Sequence, residues 1–186
     1  MAPGTAQIAT VDAVQVPPFR EIFERYVRYV HRLLIHLGIP TRHAEDVCQE
    51  VFVIASRKHG ELTDGAHLKT WLYAIAWRVA AAHRRLARNR REIPVDDPAD
   101  QLTDPRDPAM ALEERRRLEK LDAALAALPE EQRDVFVLYE IEQLVMREIS
   151  EVIGCSINTA FSRLYAARRG IAGHLGIVFP EEVWKR

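Results

Sequence analysis

Between Ile93 and Pro108 the chain reads IPVDDPADQLTDPRDP, with four prolines and five aspartates. Proline removes backbone donors and neighbouring aspartates repel, so no packed core can include this stretch. It reads as a linker, and the chain must fold as separate units on either side of it. Both flanks have helical periodicity, with apolar residues at three- and four-residue steps, and no stretch alternates as a strand does. The expectation is an all-α protein of two small helical domains, residues 17–92 and 113–178, joined by a flexible acidic linker over 93–112. With 186 residues, 48% of them hydrophobic, the chain is long and apolar enough to bury a core in each.

In the first domain, Phe19, Ile22, Phe23, Tyr26, Val30, Leu33, Leu34 and Leu37 form one stripe behind Pro17-Pro18, stopped by Gly38 and Pro40. A second helix starts near Thr41, with Ala44, Val47, Val51, Ile54 and Ala55 inward. A third spans about 67–91, burying Leu68, Leu72, Ile75, Ala76 and Val79. Its other side carries Arg78, Arg85 and Arg88, which their spacing places on a common face. Beyond the linker, Leu118, Leu121, Leu125 and Leu128 mark a helix that ends before Pro129. Glu130 and Glu131 suit the positive start of the next.

A net charge of −1 conceals a segregated distribution. Residues 69–91 hold seven Lys/Arg and no acid, residues 92–151 hold seventeen acids against seven bases, and residues 152–180 hold three Arg and no acid. Solvated helix faces can cluster in this way, but two basic blocks flanking an acidic one also suit two nucleic-acid-facing surfaces. Asp46, Gln49, Glu50 and Val53 share a helix face opposite Val47, Val51 and Ile54, acidic and amide-bearing, as either a solvated face or the seat of a basic helix. Trp71, Tyr73 and Trp77 lie beside the basic stripe, where aromatics either fill the core or stack on unpaired bases.

Near the end, MREISEVIG-CS-INTAFSRLYAARRG reads as a helix-turn-helix: two brief helices, a short turn with Gly154 and Cys155, and Ser156 placed to cap the second. Ile157, Ala160, Leu164, Ala167 and Ile171 are expected inward. Asn158, Thr159, Ser162, Arg163, Tyr165 and Arg169 are expected outward, where short polar side chains and arginines can meet base edges and phosphates.

In this order, the two halves resemble an extracytoplasmic-function (ECF) sigma factor of bacterial RNA polymerase, over about residues 19–91 and 113–176. AEDVCQEVFVIASRK is similar to the family's polymerase-binding helix, LKTWLYAIAWRVAAAHRRLARNRR to its promoter-melting segment, and LAALPEEQRDVFVLYEIEQLVMREISEVIGCSINTAFSRLYAAR to the domain that reads the minus-35 element. The resemblance implies that Asp46, Gln49, Glu50 and Phe52 contact the clamp helices of the polymerase's largest subunit. It assigns the minus-10 element to His67, Leu68 and Lys69, in the loop that captures an unstacked base, together with Arg78, Arg85 and Arg88. The minus-35 element falls to Ser156, Asn158, Thr159, Phe161, Ser162, Arg163 and Arg168. Relatives often carry an aromatic at the place of Leu68 and a basic residue at that of Phe161. Leu68 also fits the buried stripe, and Phe161 either packs inward or meets a thymine methyl.

The resemblance thus implies a sigma factor that binds core RNA polymerase, recognises and melts promoter DNA and starts transcription, with no catalytic residue, cofactor or metal. Two adhesive surfaces without a sensory domain call for an anti-sigma partner, which could be anchored in the membrane. A stand-alone helix-turn-helix regulator is the rival binding protein. An enzyme is disfavoured: the seven His form no HExxH, and there is no G-x-S-x-G or P-loop. Cys48 and Cys155 suit neither a disulfide framework nor a zinc site. With no signal peptide and no apolar run of the ~20 residues a span needs, the expected location is the cytoplasm.

Overall fold

A computed structural model describes residues 15–89 and 108–177, with side chains in the last stretch described at 113 and from 115 onward. The linker expected over 93–112 lies outside the described residues as far as 107, as do residues 90–92 and 178 of the expected domains. The described residues form helices and turns, with no strand among them, in two helical domains.

Helix α1 (Phe19–His36) starts behind Pro18, whose ring presets the backbone for a helix entry, and buries Ile22, Tyr26, Val30, Leu33 and Leu34. It ends at Gly38, at φ +85°, and a side chain there would strike the guanidinium of Arg133 in the other domain. Glycine is favoured here by the left-handed backbone, and the Arg133 side chain takes up the space that the missing Cβ leaves. Pro40 then opens α2 (Thr41–Lys58), and a short turn at Gly65–His67 leads into α3 (Leu68–Asn89). In that turn the Asp64 carboxylate accepts the Ala66 amide at 2.8 Å. The α3 stripe of Leu68, Leu72, Ile75, Ala76 and Val79 is buried as its periodicity requires.

Helix α4 (Pro108–Ala126) begins inside the stretch read as linker and packs Leu125 into the second domain's core, joined by Leu128 from the turn that follows. Helix α5 (Glu130–Phe136) starts behind Pro129, continues through a wider turn at Val137–Ile141, and reverses at Gln143, φ +59°. Helix α6 (Met146–Ile153) stops at Gly154, φ +75°, and α7 (Ile157–Leu175) begins at once. As expected, Ser156 caps α7: its hydroxyl accepts the Thr159 amide at 3.1 Å. Ala160, Leu164, Ala167 and Ile171 are buried, whereas Ile157, expected inward, is 44% exposed, because it lies on the first turn, ahead of the packed stripe.

The domains are docked on one another, α4 against α1 and α6 against α3, with α5 joined to α3 by side-chain hydrogen bonds, and the buried residues of the two form one continuous cluster. Two aromatics of the first domain exchange their expected roles. Phe23, expected inside, is 41% exposed, while Phe52, expected on the polymerase-facing surface, is only 4% exposed. Phe52 lies under the edges of Phe19 and Phe23, at ring-centre distances of 6.4 and 4.9 Å. Its periodicity explains this: Phe52 follows Cys48 by four and precedes Ala55 by three, both buried. Phe52→Ala should therefore cost about 3–5 kcal/mol of stability, read from the shift of the denaturant midpoint. A near-neutral value would return Phe52 to the surface.

Candidate nucleic-acid and protein interfaces

Helix α7 begins immediately after the Gly154 reversal, so its first turns project beyond α6. Asn158, Thr159 and Ser162 are exposed there, and all are short enough to reach a base edge without losing many rotamers. They are locally ordered: the Ser156 and Thr159 hydroxyls are 2.8 Å apart, and the Ser162 hydroxyl donates to the Asn158 carbonyl at 3.0 Å. Phe161 is half-buried and stacked near Tyr165, with ring centres 6.2 Å apart. It lines a groove of about 380 Å³ with Tyr139, Glu140, Gln143, Leu144, Val145 and Met146.

The arginines of α7 divide. Arg163 is partly exposed and bonded to Glu131, whose carboxylate is 71% exposed. An ion pair so open to water is worth little, and a phosphate can replace its acid. Arg168, expected to contact DNA, is instead 6% exposed. Its guanidinium donates to Glu140 at 2.7 Å and lies over the Tyr139 ring, 5.7 Å from its centre. It ties α7 to the wide turn after α5, and its charge is matched internally.

On α3, Arg78 and Arg85 are exposed and have no acidic neighbour within their own helix. Arg88 is also exposed, but it is bonded to Glu130 of α5. A helical wheel explains the split: Thr70, Trp77, Arg84 and Arg88 fall on one stripe, and Arg78 and Arg85 lie about 60–80° around from Thr70. His67 and Lys69 are exposed at the entry to α3, whereas Leu68, expected to meet the minus-10 element, is 5% exposed and part of the core. Its aliphatic side chain belongs to the buried stripe that starts there. Trp71 and Trp77 are partly buried against the core.

On α2, Asp46, Gln49, Glu50 and Val53 are all exposed and share one face. No described ion pair engages either acid, so this surface presents carboxylates and an amide around Val53, which is 49% exposed.

The sequence reading missed one residue at the centre of the molecule. Arg84 sits in the basic run of α3 but is only 8% exposed. Its guanidinium donates to the Leu37 carbonyl at the end of α1, to Glu130 at 2.9 Å and to Asp134 at 2.7 Å. The Trp77 indole donates to the same Asp134 oxygen at 2.7 Å. Burial opposes ionisation of Glu130, yet Arg84 and Arg88 hold its carboxyl below the usual range. At the other end of α3, the Thr70 hydroxyl donates to Glu148 of α6 at 3.0 Å. The seven-residue spacing of Thr70, Trp77 and Arg84 was the available signal.

Nothing in these surfaces resembles a catalytic centre. Cys48 is buried, and burial followed by the charge of Glu45 pushes its thiol up to about 11, leaving it unreactive. Among the described residues no group of His, Cys, Asp and Glu could hold a metal ion, and no helix is long and apolar enough to cross a membrane.

The family model for sigma-70 region 2 matches residues 22–92, and that for sigma-70 region 4 matches residues 118–170. The chain is 30% identical to the RNA polymerase sigma-H factor of Pseudomonas aeruginosa, over 78% of this chain and 81% of that protein. It is 31% identical to the ECF RNA polymerase sigma factor SigE of Mycolicibacterium smegmatis, over 92% of this chain and 67% of that one. In fold it is similar to the sigma factor RpoE solved with the anti-sigma factor NepR from Bartonella quintana. There the TM-score is 0.70 and the identity 21%, over 87% of this chain and 98% of that one. CnrH, solved with the cytosolic domain of CnrY, has a TM-score of 0.59 at 22% identity, covering 85% of this chain and 87% of that one. The chain belongs to the ECF sigma factors, which bind core RNA polymerase and promoter DNA and direct transcription initiation without catalysing a reaction.

Proposed function

We propose that this sigma factor divides its work among three surfaces. The exposed face of α2 holds polymerase, the basic face of α3 guides the opened minus-10 strand, and the first turns of α7 read the minus-35 element. The observation that carries this reading is the pairing of an exposed, acid-free arginine face on α3 with an exposed polar helix start on α7. In this division residues 17–92 form the polymerase and minus-10 domain and residues 113–178 the minus-35 domain. Each step depends on differential binding, because opened and closed DNA offer phosphates and bases in different places.

Asp46, Gln49 and Glu50 are the polymerase contacts, with Val53 as their apolar centre; Phe52 supports them from below. His67, Lys69, Arg78 and Arg85 engage the minus-10 region, and Arg88 joins them when Glu130 releases it. Asn158, Thr159, Ser162 and Arg163 meet the minus-35 element, with Ser156 ordering that turn and Phe161 at its edge. The protein works in the cytoplasm. An anti-sigma factor, which could be membrane-anchored, is the fitting regulator, a reading supported by the partners in the similar RpoE and CnrH structures.

The three surfaces fail separately when tested. Asp46→Arg with Glu50→Arg should abolish co-purification with core polymerase and leave the denaturation midpoint near wild type, since both positions are exposed. Core recovered at wild-type yield would remove α2 from the interface. Arg163→Ala should weaken binding to a minus-35 duplex by about 1–3 kcal/mol if the arginine makes a bidentate base contact, measured at one fixed salt concentration. Equal affinity for wild type and variant would leave Arg163 as a structural partner of Glu131 alone. Arg78→Ala and Arg85→Ala should slow open-complex formation with core polymerase on closed promoters, and a template pre-opened at minus-10 should restore part of the activity. Equal defects on both templates would make the stripe a general DNA-binding surface with no part in strand opening.

A further inference from the structure

Helix α7 is already held by one complete stripe: Ala160, Leu164, Ala167 and Ile171 are each no more than 2% exposed. A second apolar stripe, Ile157, Phe161 and Tyr165 at four-residue steps, lies on its flank and is left partly open to water. The Phe161 and Tyr165 rings stack within 24° of parallel. Phe161 also faces a groove whose apolar lining is Leu144, Val145 and Met146, and Val145 there is 60% exposed. None of the described residues lining that groove is basic, so it has no charge with which to hold a phosphate. The exposed Asn158 and Ser162, one turn apart, border the aromatic stripe on its outer side. Arg163 lies on the opposite flank, against Glu131. The outward face of α7 is therefore apolar along one edge and charged along the other.

The major groove of DNA presents one apolar group at its base edges, the C5 methyl of thymine. We propose that Phe161 is a specificity-determining residue of minus-35 recognition: its ring, with Ile157 one turn before it and Val145 across the groove, receives the C5 methyl of a thymine while Asn158 and Ser162 bond to neighbouring base edges. Stacking on Tyr165 fixes the ring, so little side-chain freedom is left to lose when the methyl arrives. Cytosine in the same place brings an amino group instead of the methyl, and the ring strips water from it without returning a hydrogen bond. The element is thus read for a methyl group at one step and for hydrogen bonds at the next.

The proposal rests on α7 reading the minus-35 element, and its test separates the two. Holoenzyme is assembled from core polymerase and the full chain, as wild type and as Phe161→Ala. Templates pre-opened at minus-10 and randomised across the minus-35 element are selected by the wild-type holoenzyme. Each thymine of the selected element, on either strand, is then replaced in turn by deoxyuridine, which removes the methyl and keeps every major-groove hydrogen-bonding group. The wild type should bind about fourfold more weakly when one particular thymine loses its methyl, the effect of one buried methyl group. Phe161→Ala should bind the thymine and uracil forms of that template equally. The comparison is a ratio within each protein, so a smaller active fraction of the variant does not enter it.

A selection that enriches no sequence removes α7 from minus-35 recognition, and the proposal falls with that reading. An enriched element with no thymine, or with none whose methyl matters to the wild type, overturns the proposal and leaves the reading of α7 standing. A Phe161→Ala holoenzyme that keeps the full thymine preference overturns the assignment to Phe161; if it is also weakened equally on every template, the groove serves a protein contact instead. If Phe161→Ala loses helicity, Phe161→Gln, which keeps a long side chain without the apolar ring, must lose the thymine preference, and its retention overturns the proposal.

Discussion

A guanidinium buried from water must be matched on nearly every side, and Arg84 meets that demand with a carbonyl from α1 and carboxylates from α5. Its own helix offers none of these groups. The position is therefore satisfied only when the end of α1, the C-terminal part of α3 and the start of α5 come together. A buried charge left without one partner is among the costliest defects a small protein can carry, about 3–5 kcal/mol where such pairs have been broken. The docking of the two domains follows from that requirement together with the Trp77 and Thr70 hydrogen bonds on the same stripe. Gly38 serves the same junction by admitting Arg133 against the turn after α1.

The same docking sorts the charges that remain available. α3 presents arginines on two adjacent stripes; one is used up in holding the second domain, and the other, with Arg78 and Arg85, faces water. On α7 the division is between Arg168, which braces the wide turn through Glu140, and the polar first turns that carry no structural duty beyond their own cap. Recognition surfaces in this fold are what is left over after packing has taken the side chains it needs. That is why neighbouring residues of one type differ so sharply in role.

Much of this was legible from residue order alone. Helical periodicity, the prolines at 18, 40 and 129, and the glycines at 38 and 154 determined where helices begin and end, because these are local properties of the backbone. The buried stripe of α3, the Ser156 cap and the exposed acidic face of α2 follow from spacing by the same local logic. Together with the order of motifs across the proline- and aspartate-rich stretch, they were enough to point to the family.

Residue order was thus enough for the set of helices and the broad assignment of faces, because both follow from local backbone preference and spacing. Tertiary structure decided the fate of individual side chains. Phe52 and Phe23 exchanged places because burial depends on which neighbours cover a face, and both stand near the edge of the apolar stripe. Arg84 and Arg168 are indistinguishable from Arg85 and Arg169 by composition, and one helical step of about 100° separates structural pairing from solvent. Their partners Asp134 and Glu140 lie 50 and 28 residues away in the chain. No local pattern encodes such a distance: a charge finds its counterpart only after the helices have packed.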